Sequence, residues 1–264
     1  MCIRDSDVDL VAATHGPGLV GALLVGVSAA KALAVAWQKP FVGVNHVEGH
    51  LFAVNLDTVT PELPFVILLV AGGHTRIVHV PAFGDYRVLG STIDDAAGEA
   101  FDKVARYLDL GYPGGPVIDE LATKGDRGAI HFPRGMQDDS FDFSFSGLKT
   151  AVINYVRKHP EATTEDLAAS FQEAVVDVLV DKTVAAAKSV GVEYVCMGGG
   201  VSANSRLREV MTERVQAAGM NCVLPSVQYC TDNAAMIAAA AEWTYTYQGP
   251  SDLSLGAVPS LPLG

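Results

Sequence analysis

Two histidines one helical turn apart, in the stretch VNHVEGH, are the residues of this chain best placed to do chemistry. His46 and His50 stand at i and i+4, which on a helix puts both imidazoles on one face, close enough to grip a single metal ion. The same spacing also serves as a surface pair or as core residues with satisfied hydrogen bonds. The motif is not that of the HExxH zinc peptidases, in which the glutamate directly follows the first histidine. Here Val47 holds that position, and Glu48 lies about 200° around the helix from His46. A further ligand must come from elsewhere in the chain. Thr231-Asp232-Asn233 opens the last predicted helix, where an aspartate ordinarily caps the helix. Two imidazoles and one carboxylate, however, leave coordination positions open for a substrate, as a catalytic metal requires.

Two glycine clusters could approach a polar ligand closely. LVAGGHT, residues 69–75, places paired glycines between two predicted strands, either as a plain hairpin turn or as a backbone cradle for a phosphate or nucleotide. MGGGVSAN, residues 197–204, runs from a strand through three glycines into a helix start, whose N–H groups suit an anionic or polar ligand. It has neither the ending of a Walker loop nor the spacing of a dinucleotide fingerprint. Ser202 or Asn204 serving only as a helix cap is the competing account.

The elements that must position these residues follow an α/β plan. A strand over 10–14, a helix over 19–37 and a strand over 41–44 form a parallel βαβ unit, and a helix opening at Asn45 and His46 carries the histidines. After Pro61 and Pro64 the pattern changes to an antiparallel meander, with strands over 65–70, 75–80 and 86–91. Helices follow over 95–108, 117–123, 145–158 and 164–190, the last with Thr164 as its N-cap. Strands over 194–197 and 222–224 alternate with helices over 203–218 and 231–247. Two α/β lobes are expected, over 7–63 and 64–248, with a cleft between them and a mobile tail over 249–264.

Composition narrows the function. The 264 residues carry 30 acidic and 18 basic side chains, a net charge of −12, so a general basic surface for nucleic acid is excluded and any such role needs a local patch or a basic partner. Four cysteines without a CxxC pair, and no secretory signal, point to reduced thiols in the cytoplasm. The apolar run over 18–30 stops at Lys31, short of the roughly 18–20 residues of a membrane span, so no membrane role is expected. The opening MCIRDS fits no predicted element and reads as a scar of cloning or assembly.

Taken in order, THGPGLVGALLVGVSAAKALA, VNHVEGH, LLVAGGHT, DDAAGEAFDK, GYPGGP, FSFSGLKTAV, GGGVSANSRLR and TDNAAMIAAA resemble the tRNA N6-adenosine threonylcarbamoyltransferase family, TsaD in bacteria, over about residues 9–245. That resemblance implies the actin-like ATPase fold (ASKHA), here N-terminally truncated, with the first strands of the N-terminal lobe missing. It implies metal ligation by His46 and His50 from one lobe and Asp232 from the other, with one divalent ion per subunit, iron(II) first and zinc or another divalent ion as alternatives. It carries substrate and nucleotide contacts onto Leu69, Val70, Ala71, Gly72, Gly73, Asp102, Gly115, Asp119 and Asn204, and assigns no protein nucleophile.

The implied reaction moves a threonylcarbamoyl group from threonylcarbamoyl-AMP to N6 of the adenosine beside the anticodon (position 37), in tRNAs reading codons that begin with A. The implied partners are tRNA, a paralogous TsaB-like subunit and a TsaE-like ATPase. Lys103, Arg106, Arg134, Lys149, Arg206 and Arg208 are the candidate cations for an RNA surface. The C-terminal PSLPLG departs from the basic-aromatic ending of relatives. Another carbamoyltransferase or kinase on the same fold, or an inactive scaffold paralogue, are the rival readings.

Overall fold

The βαβ pattern at the start of the chain folds as its periodicity requires. β1 (Val11–Gly16) pairs in parallel with β2 (Phe41–Asn45), and α1 (Val20–Trp37) makes the crossover. Leu23, Val27, Ala30 and Ala34, at helical spacing, are the buried positions of α1. α2 (His46–Phe52) begins directly after β2, because the Asn45 side chain accepts from the N–H groups of Val47 and Glu48. The computed structural model describes residues 4–136 and 138–263, so the first three residues of the MCIRDS opening lie outside it.

The chain separates into two compact units. The first combines Met1–Thr58 with Asp232–Gly264, and the second is Val59–Thr231. This differs from the expected division, which gave residues 64–248 to one lobe. The last helix, α9 (Ala234–Gln248), packs on α2, β2 and β1 and therefore belongs to the first unit. The expected mobile tail is held as well. Ser251 N–H donates to the Phe41 carbonyl, Gly43 N–H donates to Ser251 Oγ, and Val258 N–H donates to the His15 carbonyl. The tail thus supplies hydrogen bonds to a strand that would otherwise present an open edge.

Within the second unit, five strands run in the order β5-β4-β3-β6-β7. β3 (Phe65–Val70), β4 (Thr75–Ala82) and β5 (Asp85–Ser91) form the antiparallel meander, while β6 (Tyr194–Gly198) and β7 (Asn221–Val223) add in parallel. All six residues of β3 are buried, as expected of a central strand covered on both faces. α3 (Ala97–Tyr107), α4 (Gly114–Ala122), α5 (Ser146–Lys158), α6 (Thr164–Val190), α7 (Ser205–Ala217) and the short α8 (Val227–Cys230) complete the unit. Phe101 of α3 and Phe171 of α6 meet edge to face, with ring centroids 5.2 Å apart, inside its core.

Three local expectations are corrected. α6 is capped by Thr163, whose side chain accepts from Asp166 N–H, one residue before the expected Thr164. α4 starts at Gly114, inside the glycine-proline turn, because the Asp102 carboxylate accepts from Gly114 N–H at 2.7 Å. Finally, α1 runs through Lys31 as expected, but its 18 residues have a mean hydropathy of 1.8, so by length and composition alone it is long and apolar enough to cross a membrane, contrary to the reading of its apolar run as too short. Leu24, Val25 and Val35 form an exposed apolar face on it.

Candidate active site

Within the first unit, a close helix contact assembles the predicted metal ligands. α2 and α9 approach so tightly at Gly49 that a Cβ there would lie 2.8 Å from Ile237 Cδ1. The turn ahead of α9 then brings Asp232 to the histidine face of α2. Asp232 Oδ1 lies 3.5 Å from His46 Nε2 and 3.3 Å from His50 Nε2. One donor atom from each of the three residues falls within 4.8 Å of the others.

Asp232 is not the cap of α9. Asn233 takes that role, its side chain accepting from Met236 N–H at 2.9 Å. The competing reading of the TDN motif is thereby resolved by a division of labour between neighbours. The amide caps the helix, and the carboxylate points to the imidazoles. All three groups lie in the first unit, so the expectation that the ligands come from two lobes is corrected.

The residues fit a divalent metal. His50 is buried, yet neither of its ring nitrogens makes a hydrogen bond. Its Nε2 is close enough to Asp232 for ion pairing but lacks hydrogen-bond geometry. A buried polar atom without a partner is costly, and metal coordination would satisfy it. Burial holds the His46 pKa below its ordinary value; the nearby Asp232 opposes this and His50 reinforces it. A neutral imidazole is the form that binds metal.

In the second unit, a cavity of about 600 Å³ gathers the chain's glycine-rich segments. Gly72, Asp102, Gly115, Asp119 and Asn204, all expected from the sequence, line it. A Cβ at Gly72, Gly115 or Gly200 would meet nothing within 4 Å, so these glycines leave open space for a ligand beside the backbone. Gly199 has a different reason to be glycine. Its φ is +89°, and a Cβ would sit 2.6 Å from the Val70 carbonyl oxygen.

The remaining expected contacts lie outside the lining. Leu69 and Val70 are buried strand residues, and Ala71 and Gly73 flank the cavity in sequence without facing it. Residues that sequence reasoning did not select, including Tyr112, Val201 and Thr231, do face it. Tyr112, an aromatic set among the five Gly and Pro residues of GYPGGP, is the sequence signal for the first of these.

The expected anion site at the start of α7 is already filled by protein groups. Asp119 Oδ2 accepts from Ser205 N–H at 2.9 Å, and Asp119 Oδ1 accepts from Ser205 Oγ at 2.8 Å. Asn204 Oδ1 accepts from Leu207 N–H at 2.9 Å. A phosphate is therefore not drawn to that helix end by free donors. The carboxylates of Asp102 and Asp119 instead offer acceptors to the cavity, a set suited to hydroxyl or amine donors on a ligand.

Most of the candidate RNA-binding cations are engaged internally. Lys103 and Lys149 pair with Asp95, Arg134 with Asp177, and Arg206 with Glu173, while Arg208 donates to the Ser202 carbonyl. Burial pushes the Cys196 thiol pKa well above its ordinary value and raises that of Cys222, which suits neither to nucleophilic attack.

The fold and these two sites define a protein of the actin-like ATPase (ASKHA) architecture with a candidate metal centre. Among solved structures, HypF from T. kodakarensis is similar with a TM-score of 0.65 at 16% identity, covering 90% of this chain and 41% of that one. Component A of the Acidaminococcus fermentans (R)-2-hydroxyglutaryl-CoA dehydratase is similar with a TM-score of 0.55 at 18% identity, covering 92% and 78%.

The family is given by sequence. Residues 3–239 match the model of TsaD, tRNA N6-adenosine threonylcarbamoyltransferase. The enzyme of that name from Clostridium beijerinckii is 51% identical over 267 residues, covering 99% of this chain and 79% of its own length. The one from Thermotoga neapolitana is 55% identical over 234 residues, covering 88% and 72%. The chain belongs to the tRNA N6-adenosine threonylcarbamoyltransferase family.

Proposed function

We propose that this chain transfers the threonylcarbamoyl group of threonylcarbamoyl-AMP to N6 of adenosine 37 in tRNAs reading codons that begin with A. The family match over residues 3–239 carries the reading. The convergence of His46, His50 and Asp232 supports it at the level of residues. In this reaction the N6 amine attacks the carbamoyl carbon and a new C–N bond forms. The bond from that carbon to the phosphate oxygen breaks, AMP leaves, and the N6 proton passes to solvent. No protein nucleophile takes part.

Iron(II) is the proposed ion, with zinc or another divalent metal as the alternative, held by His46, His50 and Asp232. When bound it would supply Lewis-acid polarisation of a phosphate or carbonyl oxygen of the adenylate. Gly72, Gly115 and Gly200 would leave room for the adenylate, and Asp102 and Asp119 would accept hydrogen bonds from its hydroxyl or amine groups. Contacts from Leu69, Val70, Ala71 and Gly73 would have to be made through backbone atoms.

The acidic surface and the internally paired cations support dependence on other proteins for tRNA binding. A TsaB-like subunit and a TsaE-like ATPase are the proposed partners, and the exposed apolar face of α1 is in keeping with such dependence. A cytoplasmic location follows from the substrate.

The test combines metal analysis with a tRNA modification assay in the presence of the partner proteins. His46→Ala, His50→Ala and Asp232→Ala should each lower the retained metal at least tenfold and abolish modification. Full metal retention by all three variants would remove the proposed centre.

A further inference from the structure

A polar pair is buried where α6 passes the start of α7. Asn204 Nδ2 lies 2.7 Å from Gln172 Oε1, and both side chains are more than nine-tenths buried, at 8% and 4% exposure. Gln172 sits among Phe171, Val175 and Val176 on the core side of α6, where an apolar residue would ordinarily stand. The neighbouring hydrogen bonds fix the orientation of both amides. Leu207 N–H is a backbone donor, so the Asn204 atom 2.9 Å from it must be the oxygen. The other terminal atom of Asn204 is then its NH₂ group, and the Gln172 atom facing it must be an acceptor. Once both bonds are made, the Asn204 side chain retains one N–H, while its oxygen is held at the start of α7 by Leu207 N–H. Asn204 lines the cavity, and Gln172 does not.

We infer that Gln172 is a positioning residue for the cavity: together with Leu207 N–H it holds the Asn204 amide so that the remaining N–H is offered to the ligand. This rests on reading the cavity as the adenylate site. The group taken there is an acceptor, such as a ring nitrogen, a hydroxyl oxygen or a phosphoryl oxygen. Without the Gln172 oxygen, the Asn204 NH₂ group loses its buried partner, and an amide held only at its oxygen by Leu207 N–H would tilt and turn its remaining N–H away from the ligand acceptor.

The experiment measures AMP binding to the full chain by calorimetry, with thermal unfolding followed in parallel. Gln172→Met keeps the length and removes the acceptor, and should weaken AMP binding about tenfold. Gln172→Glu accepts in either protonation state and should bind AMP within about twofold of the wild type. In an Asn204→Ala background, Gln172→Met should have no further effect, since its action passes through Asn204.

A folded Gln172→Met variant that binds AMP like the wild type overturns the proposal, as does an equal loss in the Asn204→Ala background. Should Gln172→Met fail to fold, a tenfold loss of AMP binding in Gln172→Glu overturns it. Wild-type binding that Asn204→Ala leaves unchanged sinks the reading of the cavity, and absence of wild-type AMP binding overturns both.

Discussion

Asn233 and Asp232 show how adjacent polar residues separate two tasks. The asparagine caps α9, which leaves the aspartate beside His46 and His50. Asn233→Ala should therefore cost about 1 kcal/mol of stability by loss of the cap. It should also weaken metal binding, because Asp232 becomes the nearest substitute cap. Thermal unfolding and metal titration read the two effects, and unchanged metal affinity would separate the tasks completely. Asp94 is a second such residue. Its carboxylate accepts from Ser144 Oγ, Ser146 Oγ and Phe145 N–H at the start of α5. Partial burial opposes ionisation, but these hydrogen bonds outweigh it and hold the Asp94 pKa below the ordinary aspartate value. A depressed folded-state pKa gives stability that is full above the unfolded value, ~3.9, and is lost as the pH falls through the folded one. Asp94→Asn should accordingly lower the denaturation midpoint at pH 7, by an amount that shrinks as the pH falls below the ordinary aspartate range, as followed by denaturant titration.

At the scale of elements, the α2–α9 contact decides whether the candidate metal ligands meet. Gly49 permits it, since its missing Cβ is the space that Ile237 and Met236 use. Gly49→Val should destabilise the chain by about 1–3 kcal/mol through overpacking. It should also lower metal affinity by moving Asp232 away from the histidines. Wild-type metal affinity in the folded variant would show that the helix contact does not set the site. The second unit uses the same device between segments, where Gly98 brings α3 against the backbone of Ala71 and Gly72. There, too, a missing side chain sets how near a helix comes to the turn beside the cavity.

At the scale of the molecule, the first unit is discontinuous, and its last segment closes it. Beyond the tail's contacts with β2, Asn45 Nδ2 donates to the Pro262 carbonyl at 2.7 Å while Asn45 Oδ1 caps α2. Lys31 donates to the Leu255 carbonyl. Removal of residues 249–264 should therefore raise amide exchange at Gly43, and at Val47 and Glu48 in the first turn of α2, by at least tenfold. Exchange there at the wild-type rate would mean the tail is dispensable.

Some positions are legible from period alone: the strand over 65–70 is predicted to the residue, because a fully apolar run allows one reading, and the long helix over 164–190 is placed correctly with only its cap one residue off. The histidine pair was legible for the same local reason, since i and i+4 share a helix face whatever surrounds them. Motif order carried the family. What the sequence could not fix is which residue of TDN caps and which lies beside the histidines, that the last helix returns to the first unit, that the tail is docked, and that Asp119 occupies the start of α7. Each of these depends on contacts between residues far apart in the chain. Local propensity is blind to such contacts, and only the packed chain decides them.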